Sequence, residues 1–574
     1  MNTDRFYIAS SEISASPPVS EEYADLIYRY QEPSGQSPIQ LDQYHPQIVN
    51  SQYVILHLPI SQGFTTTRAA GYATIPKLFT FLSTASLEDS GILTTLSQPV
   101  LDLTGKGVLV GFLDSGIDYT HPAFRNADGS TRIFGLWDQT DQRGTPPLDL
   151  SYGTEYTQEE INQALRSSDP YSIVPERDDL GHGTAVAGIA CGSPDRYSDF
   201  YGAAPGSGLL VVKLKQAKQY LRDYFLTLPE APVYQESDLM LGVRYLVQTA
   251  RALQRPLVIC IALGTNQGGH TGVSPLENVL TSSQSVSGVY VCTAAGNEAG
   301  KGHHYYGKVR EQGDTVDVEL LVNDQTEGFI CEFWADAPEL YSIGFTSPLG
   351  ETIQPVPPRT FFSQEFSLLL ENSRITLDYE IVETLSGSQL ALIRFIRPSV
   401  GLWRLKIVNR EFINGSFHMW LPISGLVNPE IRFYMPNPDT TLVIPSLAEA
   451  VLTTSTYNAY NGSLFIHSSR GYTRNGILKP DLASPGVDVT CPVPNGGFSS
   501  VTGSSAASAL LSGASALLVE WGLKRPVPRF FSANELKNLF LRGTVRKSNL
   551  LYPNREWGYG TMNLYGIFES LIGN

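Results

Sequence analysis

The chain has 574 residues, more than one hydrophobic core usually encloses, so two or three domains are expected. Apolar residues make up 42%, aromatic residues 10% and charged residues only 17%, which excludes a disordered chain. A formal net charge of −16 excludes a general binder of nucleic acid or anionic membrane, because either needs a positive surface; a local basic patch stays open.

The first residues, MNTDRFYIASSEISASPPVS, lack a basic start followed by an apolar core, so no secretory signal is expected. No run of about 18 or more apolar residues occurs, which argues against a membrane span. The cysteines Cys191, Cys260, Cys292, Cys331 and Cys491 are odd in number, widely spaced and in no CxxC pair. Buried free thiols in a protein made in a reducing cytoplasm are expected, with a disulfide or metal site as the alternative.

Residues 21 to 85 read as a small α+β unit. EEYADLIYRY, IVNSQYVILHLPI and IPKLFTFLS carry the apolar content, and linkers such as Gln31 to Pro38 separate them. A second domain begins near LEDSGI. In it Val108 to Leu113, VLVGFL, is a continuous apolar run of the kind a doubly covered parallel strand shows, ending in Asp114-Ser115-Gly116. A carboxylate just past the C-terminal end of such a strand sits where open α/β sheets place their sites, although a helix cap or turn would explain Asp114 as well. Asp118 and His121 lie close by and compete for a role. Next comes Asp179-Leu180-Gly181-His182-Gly183-Thr184, opening the small, apolar, helix-spaced AVAGIACG. Glycines on both sides of His182 let backbone approach closely and leave the imidazole accessible.

LLVVKLK, PLVICIALG and GVYVCTAAGN each read as a buried strand running into a turn, with a helix predicted over Asp238 to Leu253 between the first two. Strands alternating with helices imply βαβ units and a parallel sheet with helices on both faces. Asn297 follows the third strand, an amide able to donate to an oxyanion, or an ordinary turn residue. From 301 to 440 the texture changes to short alternating segments such as TVDVELLV, RITLDYEIVE and LWRLKIV, which predict an inserted all-β domain of sandwich or jelly-roll type. The α/β texture resumes over 441 to 574, completing the domain that began at 86 and broke off at 300. Here Phe498 to Gly513, FSSVTGSSAASALLSG, sets two adjacent serines at the start of an apolar helix, and a further amphipathic helix is predicted over Ser532 to Leu541. A nucleophile at such a helix start has N–H groups beside it that stabilise developing negative charge.

Asp114, His182, Asn297 and Ser505 together supply a carboxylate, a base, an oxyanion donor and a nucleophile, the parts of an acyl-transfer machine. At these residues the chain resembles the subtilisin-like serine proteases, the subtilases. DSGID at 114 to 118 looks like that family's Asp motif, GHGTAVAG at 181 to 188 its His motif, AAGNEAG at 294 to 300 its oxyanion Asn motif and TGSSAA at 502 to 507 its Ser motif. YGAAPGS at 201 to 207 and KPDLASPG at 479 to 486 are similar to segments that accompany them, and the order Asp, His, Asn, Ser is the family's. In the family pattern the nucleophile is the second residue after the glycine, which selects Ser505 over Ser504. The resemblance implies that Ala262-Leu263-Gly264, where Ser-Leu-Gly is usual, pairs with substrate backbone. Departures cluster beside the nucleophile: Ser504 replaces the usual Thr, Ala506 the usual Met, and the proline that follows is missing.

The layout is similar, more narrowly, to the Csp germination proteases of clostridial spores. IPKLFTFL, SLEDSGI and TGKGVLVGFLDSGIDYTHPAF carry that likeness, with a small N-terminal unit and an insertion between the Asn and Ser motifs. The resemblance implies a prodomain over 1 to 85 cut by the enzyme itself, near Thr84, Ala85 and Ser86, and retained. It implies incorporation in the spore and a protein substrate, the proform of a cortex-lytic enzyme. A pseudoprotease that binds without cutting and a general intracellular subtilase are the rival readings. No cofactor is expected; subtilases often bind structural calcium, but no acidic loop here has convincing ligand spacing.

Overall fold

The computed structural model describes residues 16–30, 44–82, 95, 101–360 and 362–572. Three strands near the N-terminus, β1 (Tyr23–Arg29), β2 (Gln47–Ile48) and β3 (Tyr53–Pro59), form an antiparallel sheet in the order β1-β3-β2. The segment continues through α1 (Thr67–Ala70) to β4 (Leu78–Phe81), which leaves that sheet.

The main body is an eight-stranded sheet. In chain order its strands are β5 (Leu109–Asp114), β6 (Ile133–Asp138), β7 (Thr154–Thr157), β8 (Gly208–Lys213), β10 (Leu257–Ile261), β12 (Val289–Ala294), β13 (Leu452–Tyr457) and β14 (Leu482–Pro485). In space the order is β14-β13-β12-β10-β5-β8-β6-β7, all parallel except the edge strand β7. The two-residue strands β9 (Tyr234–Gln235) and β11 (Leu263–Gly264) lie outside this sheet and flank β4.

The apolar runs are continuous because both faces are covered. Along β5, Val110 and Phe112 pack with the helices α3 (His182–Cys191) and α7 (Ser504–Lys524), while Leu109 and Leu113 pack with α5 (Glu236–Ala252) and α6 (Pro275–Ser283). Shorter helices α2 (Gln158–Arg166) and α4 (Gln219–Phe225) precede α3 and α5, and α8 (Ala533–Gly543) and α9 (Leu564–Ile572) close the chain. Ser532 caps α8, its hydroxyl accepting the Glu535 N–H.

By length and composition α7 could cross a membrane, although serines interrupt its apolar residues. Yet 89% of its apolar window is buried inside the fold, where it forms the centre of the core. Three of its serines are satisfied there: Ser508, Ser512 and Ser515 each donate, at 2.7 Å, to a carbonyl one turn back. All five cysteines are buried and unpaired, and burial pushes the thiol of Cys191 up to about 12 and that of Cys292 to about 11.

Between His304 and Phe433 a six-stranded and a five-stranded antiparallel sheet enclose a separate core of Phe329, Phe333, Ile343, Trp403 and their neighbours. The alternating segments of the sequence become these strands, Thr315–Val322 and Gly401–Glu411 among them. This β-rich insertion grips the N-terminal segment. Tyr72 donates through its hydroxyl to Glu332 at 2.5 Å and through its N–H to Glu380 at 2.6 Å, while Thr67 donates to Asp378 at 3.2 Å. Lys77, buried beneath, donates to the carbonyls of Tyr72 and Ile75.

Candidate active site

Asp114 is the last residue of β5 and is 1% exposed. His182 opens α3, and its Nδ1 lies 2.7 Å from the Asp114 carboxylate. With Nδ1–H donating there, Nε2 is the acceptor, 3.0 Å from Ser505 Oγ. The Ser505 hydroxyl also lies 3.0 Å from the Ala262 carbonyl, so its one proton has two acceptors within reach. Residues 68 and 323 positions apart thereby make a continuous chain from carboxylate to imidazole to hydroxyl.

Local sequence explains why they fit. α3 must approach β5 closely, and a Cβ on Gly183 would lie 2.1 Å from the Gly116 carbonyl. Gly503, immediately before α7, has φ 145°, a conformation that favours glycine. That turn aims the first N–H groups of α7 out of the helix, where no helical carbonyl can satisfy them. The Ser504 N–H donates to Asn297 Oδ1 at 3.1 Å. The amide oxygen of Asn297 is thus occupied, and its NH₂ is the half that can donate to an oxyanion.

Asp178 carries a role that reading by motif missed. Gly181, before α3, has no side chain to cap the helix, and Asp178 replaces it: its carboxylate accepts the N–H groups of Gly181 at 2.9 Å and Thr184 at 2.8 Å. It also accepts the Ser115 hydroxyl at 2.7 Å, so one side chain fixes both the helix carrying His182 and the turn after Asp114. A carboxylate three residues ahead of a glycine-started helix was the available signal. Asp118 and His121 point elsewhere: Asp118 accepts the Asn495 N–H at 2.8 Å, and His121 Nε2 lies 3.0 Å from the Gly497 carbonyl. They tie their loop to the turn between β15 (Val489–Pro492) and β16 (Phe498–Val501) and are absent from the triad.

The cleft is filled by the chain itself. β4 lies between β9 and β11, antiparallel to both, with Thr80 opposite Gly264 and Phe81 opposite Leu263. Leu82 then donates its N–H to the Ala262 carbonyl at 3.2 Å, and its own carbonyl accepts the N–H of Ser505. The Phe81 ring stacks on His182 with centroids 4.2 Å apart. The Leu82 side chain is 2% exposed and packs with Ala294 and Val443. Thr84, Ala85 and Ser86 lie outside the described residues. Among those described, no cluster of three or more His, Cys, Asp or Glu residues is arranged to hold a metal ion.

The family model for subtilases matches residues 105–319 and 427–560, which hold all four motif residues. The chain belongs to the subtilase family. The gap between the matched stretches falls in the β-rich insertion, an addition to the subtilase core. The solved structure of the Clostridium perfringens CspB protease superposes with a TM-score of 0.75 and 32% identity, covering 85% of this subtilase and 98% of that chain. Subtilisin-like protease SBT2.2 of Arabidopsis thaliana is 27% identical over 216 residues, 34% of this chain and 23% of that relative's length.

Proposed function

We propose that this subtilase is a serine endopeptidase that first cuts its own chain between Leu82 and Ser83. The observation that carries the reading is the Leu82 carbonyl, held by the Ser505 N–H while backbone pairing on both sides of β4 fixes the residues before it. A scissile carbonyl meets its nucleophile in the same way, which supports the reading. Ser505 Oγ attacks the Leu82 carbonyl carbon as His182 Nε2 takes the hydroxyl proton, and Asp114 stabilises the imidazolium. The oxyanion is met by the Ser505 N–H and the Asn297 amide. Collapse breaks the Leu82–Ser83 bond, His182 returns its proton to the departing amine, and water releases the acyl-enzyme through the same groups.

The assigned bond lies directly ahead of Thr84 to Ser86. After the cut the N-terminal segment, a prodomain in this reading, stays bound with its new carboxyl end in the cleft. Activity on a second protein then requires that this tail give way. The finer reading, that the second protein is the proform of a spore cortex-lytic enzyme and that this enzyme resides in the spore, is supported by the layout shared with the Csp proteases.

Intact mass of the purified chain beside Ser505→Ala tests the first step. Wild type should give two fragments, the larger beginning at Ser83, and Ser505→Ala a single chain. Two uncut chains, neither labelled by a fluorophosphonate, would leave a binding protein as the better reading. Cleavage of the cortex-hydrolase proform with casein untouched would separate a selective enzyme from a general one.

A further inference from the structure

We infer that the far end of the helix carrying Ser505 docks an acidic segment of another protein, one that sets an apolar side chain among its carboxylates. The composition left a local basic patch open, and it lies here. From Lys524 to Lys547 there are seven basic residues and one acidic residue, Glu535, in a chain whose formal net charge is −16. Ser505 is the second residue of α7 and Lys524 its last, so at about 1.5 Å per residue the patch stands about 30 Å from the nucleophile. Among the described residues, none of the N-terminal segment that fills the cleft lines the pocket at this end.

Most of these basic side chains already serve the fold. Lys524 pairs with Glu520 at 3.2 Å and Lys537 with Asp481 at 2.6 Å, while Arg546 and Lys547 donate to the carbonyls of Tyr559 and Gly462. Arg525, Arg529 and Arg542 remain, and all three line one open pocket of about 310 Å³ where α7, α8 and α9 meet. Arg529 reaches Glu535 at 3.2 Å, but both side chains are about half exposed and such a pair holds little in water. Arg525 and Arg542 are exposed, and among the described residues no carboxylate lies within ion-pair distance of either. Two guanidiniums thus stand at one pocket without a counter-charge.

The apolar lining decides what must accompany the charge. Trp521, Phe531, Leu539 and Leu571 line the same pocket, and Leu571 is 42% exposed. Trp521 stacks with Phe531, centroids 6.0 Å apart, and the Arg525 guanidinium lies 5.1 Å from the Trp521 ring centre. An arginine stacked on a ring keeps its N–H edge for a carboxylate. A small inorganic anion would leave the apolar lining wet, and an uncharged peptide would leave the guanidiniums unpaired. An acidic segment with one leucine or phenylalanine meets both demands, its side chain in the pocket and its carboxylates at Arg525 and Arg542. Asn534 and Asn538, one turn apart on α8, add side-chain amides of the kind that pair with peptide backbone. A nucleic acid fits less well, because Phe531 and Arg525 already occupy Trp521 and the chain as a whole is acidic.

The test is fluorescence anisotropy of the full chain with a labelled peptide that carries glutamates on both sides of one phenylalanine. Wild type and Ser505→Ala should bind it equally, since the docking end needs no working triad, so the outcome is independent of the proteolytic reading. Arg525→Glu combined with Arg542→Glu should weaken binding about tenfold or more, and Arg525→Gln with Arg542→Gln should fall between. Glycine in place of the peptide's phenylalanine should weaken binding as well, and added salt should weaken the wild-type complex more than that of the charge-reversed chain. Both arginines are exposed, so the urea midpoint should stay unchanged; if the reversed chain does not fold, the glutamine pair and the glycine peptide still decide. No binding by wild type, equal binding by the reversed chain, or indifference to the phenylalanine overturns the inference. So does a single-stranded RNA of equal charge that binds more tightly than the peptide, or a dimer in sedimentation that charge reversal dissolves, which would make a second copy of this acidic chain the occupant.

Discussion

At its outer end the N-terminal segment is held to the body by buried side chains; at its inner end it is held by backbone. The outer contact centres on Asp25 of β1, 1% exposed, whose carboxylate lies 2.7 Å from the Lys218 ammonium and 2.6 Å from His57 Nδ1 and accepts from Gln235 at 2.5 Å. Ile27, Tyr53 and Ile55 pack around it against residues of α5 and α6. The inner contact is the strand pairing of β4 and the Leu82 carbonyl at Ser505. A side-chain cluster of this kind recognises one sequence. Backbone pairing accepts any extended chain whose side chains fit the subsites, so only the inner contact can be exchanged for a substrate.

Substitutions can separate the two contacts. The largest effect on holding should come from Asp25→Ala, which strands the buried Lys218 and should cost about 3–5 kcal/mol. It is read as a lower urea midpoint for release of the N-terminal fragment from the cut chain, and an unchanged midpoint would show that the outer contact does not hold the segment. Burial by itself would raise the Asp25 carboxyl, but Lys218 and His57 hold it below its ordinary value of 3.8. A lowered folded value means that its contribution is fully present above that pH and is lost in stronger acid.

Asn297→Ala should leave that midpoint alone and slow self-cleavage about 10²–10³-fold, the cost of removing one oxyanion donor from a subtilisin. A loss of holding without a loss of rate would reverse the assignment of this residue. The smallest effect is expected at the grip of the insertion on the segment. Burial pushes the Glu380 carboxyl up to about 7, against the pull of the Tyr72 N–H, with Glu383 adding to the rise. Because the folded value lies above the ordinary 4.5, Glu380 is buried neutral without penalty below that pH, and its burial costs stability as pH rises toward 7 and the carboxyl ionises. Glu380→Gln should remove this dependence and strengthen holding at pH 8 by on the order of 2 kcal/mol. A midpoint that falls equally with pH in both proteins would place the titration elsewhere.

Much of the catalytic geometry was legible in the chain because each part sits within a short stretch whose chemistry is local. The run VLVGFL had to be a doubly covered strand, and its end carries Asp114. The glycines around His182 and before Ser504 announce close approach and a sharp turn. Ala262-Leu263-Gly264 was expected by resemblance to pair with substrate backbone; in the structure Leu263 and Gly264 pair with β4 of the chain itself. The antiparallel texture between residues 301 and 440 announced all-β sheets there.

Other features depend on distance in the fold. No local pattern says which carbonyl of the N-terminal segment meets Ser505, because that is set by the register of β4 between strands more than 150 residues away. Asp178 gained its role because Gly181 left a helix start without a cap. The sequence by itself determined which groups could react, since reactivity belongs to residue types and their immediate backbone. Tertiary structure alone decided what lies in front of them, since pairing register arises only where distant segments pack.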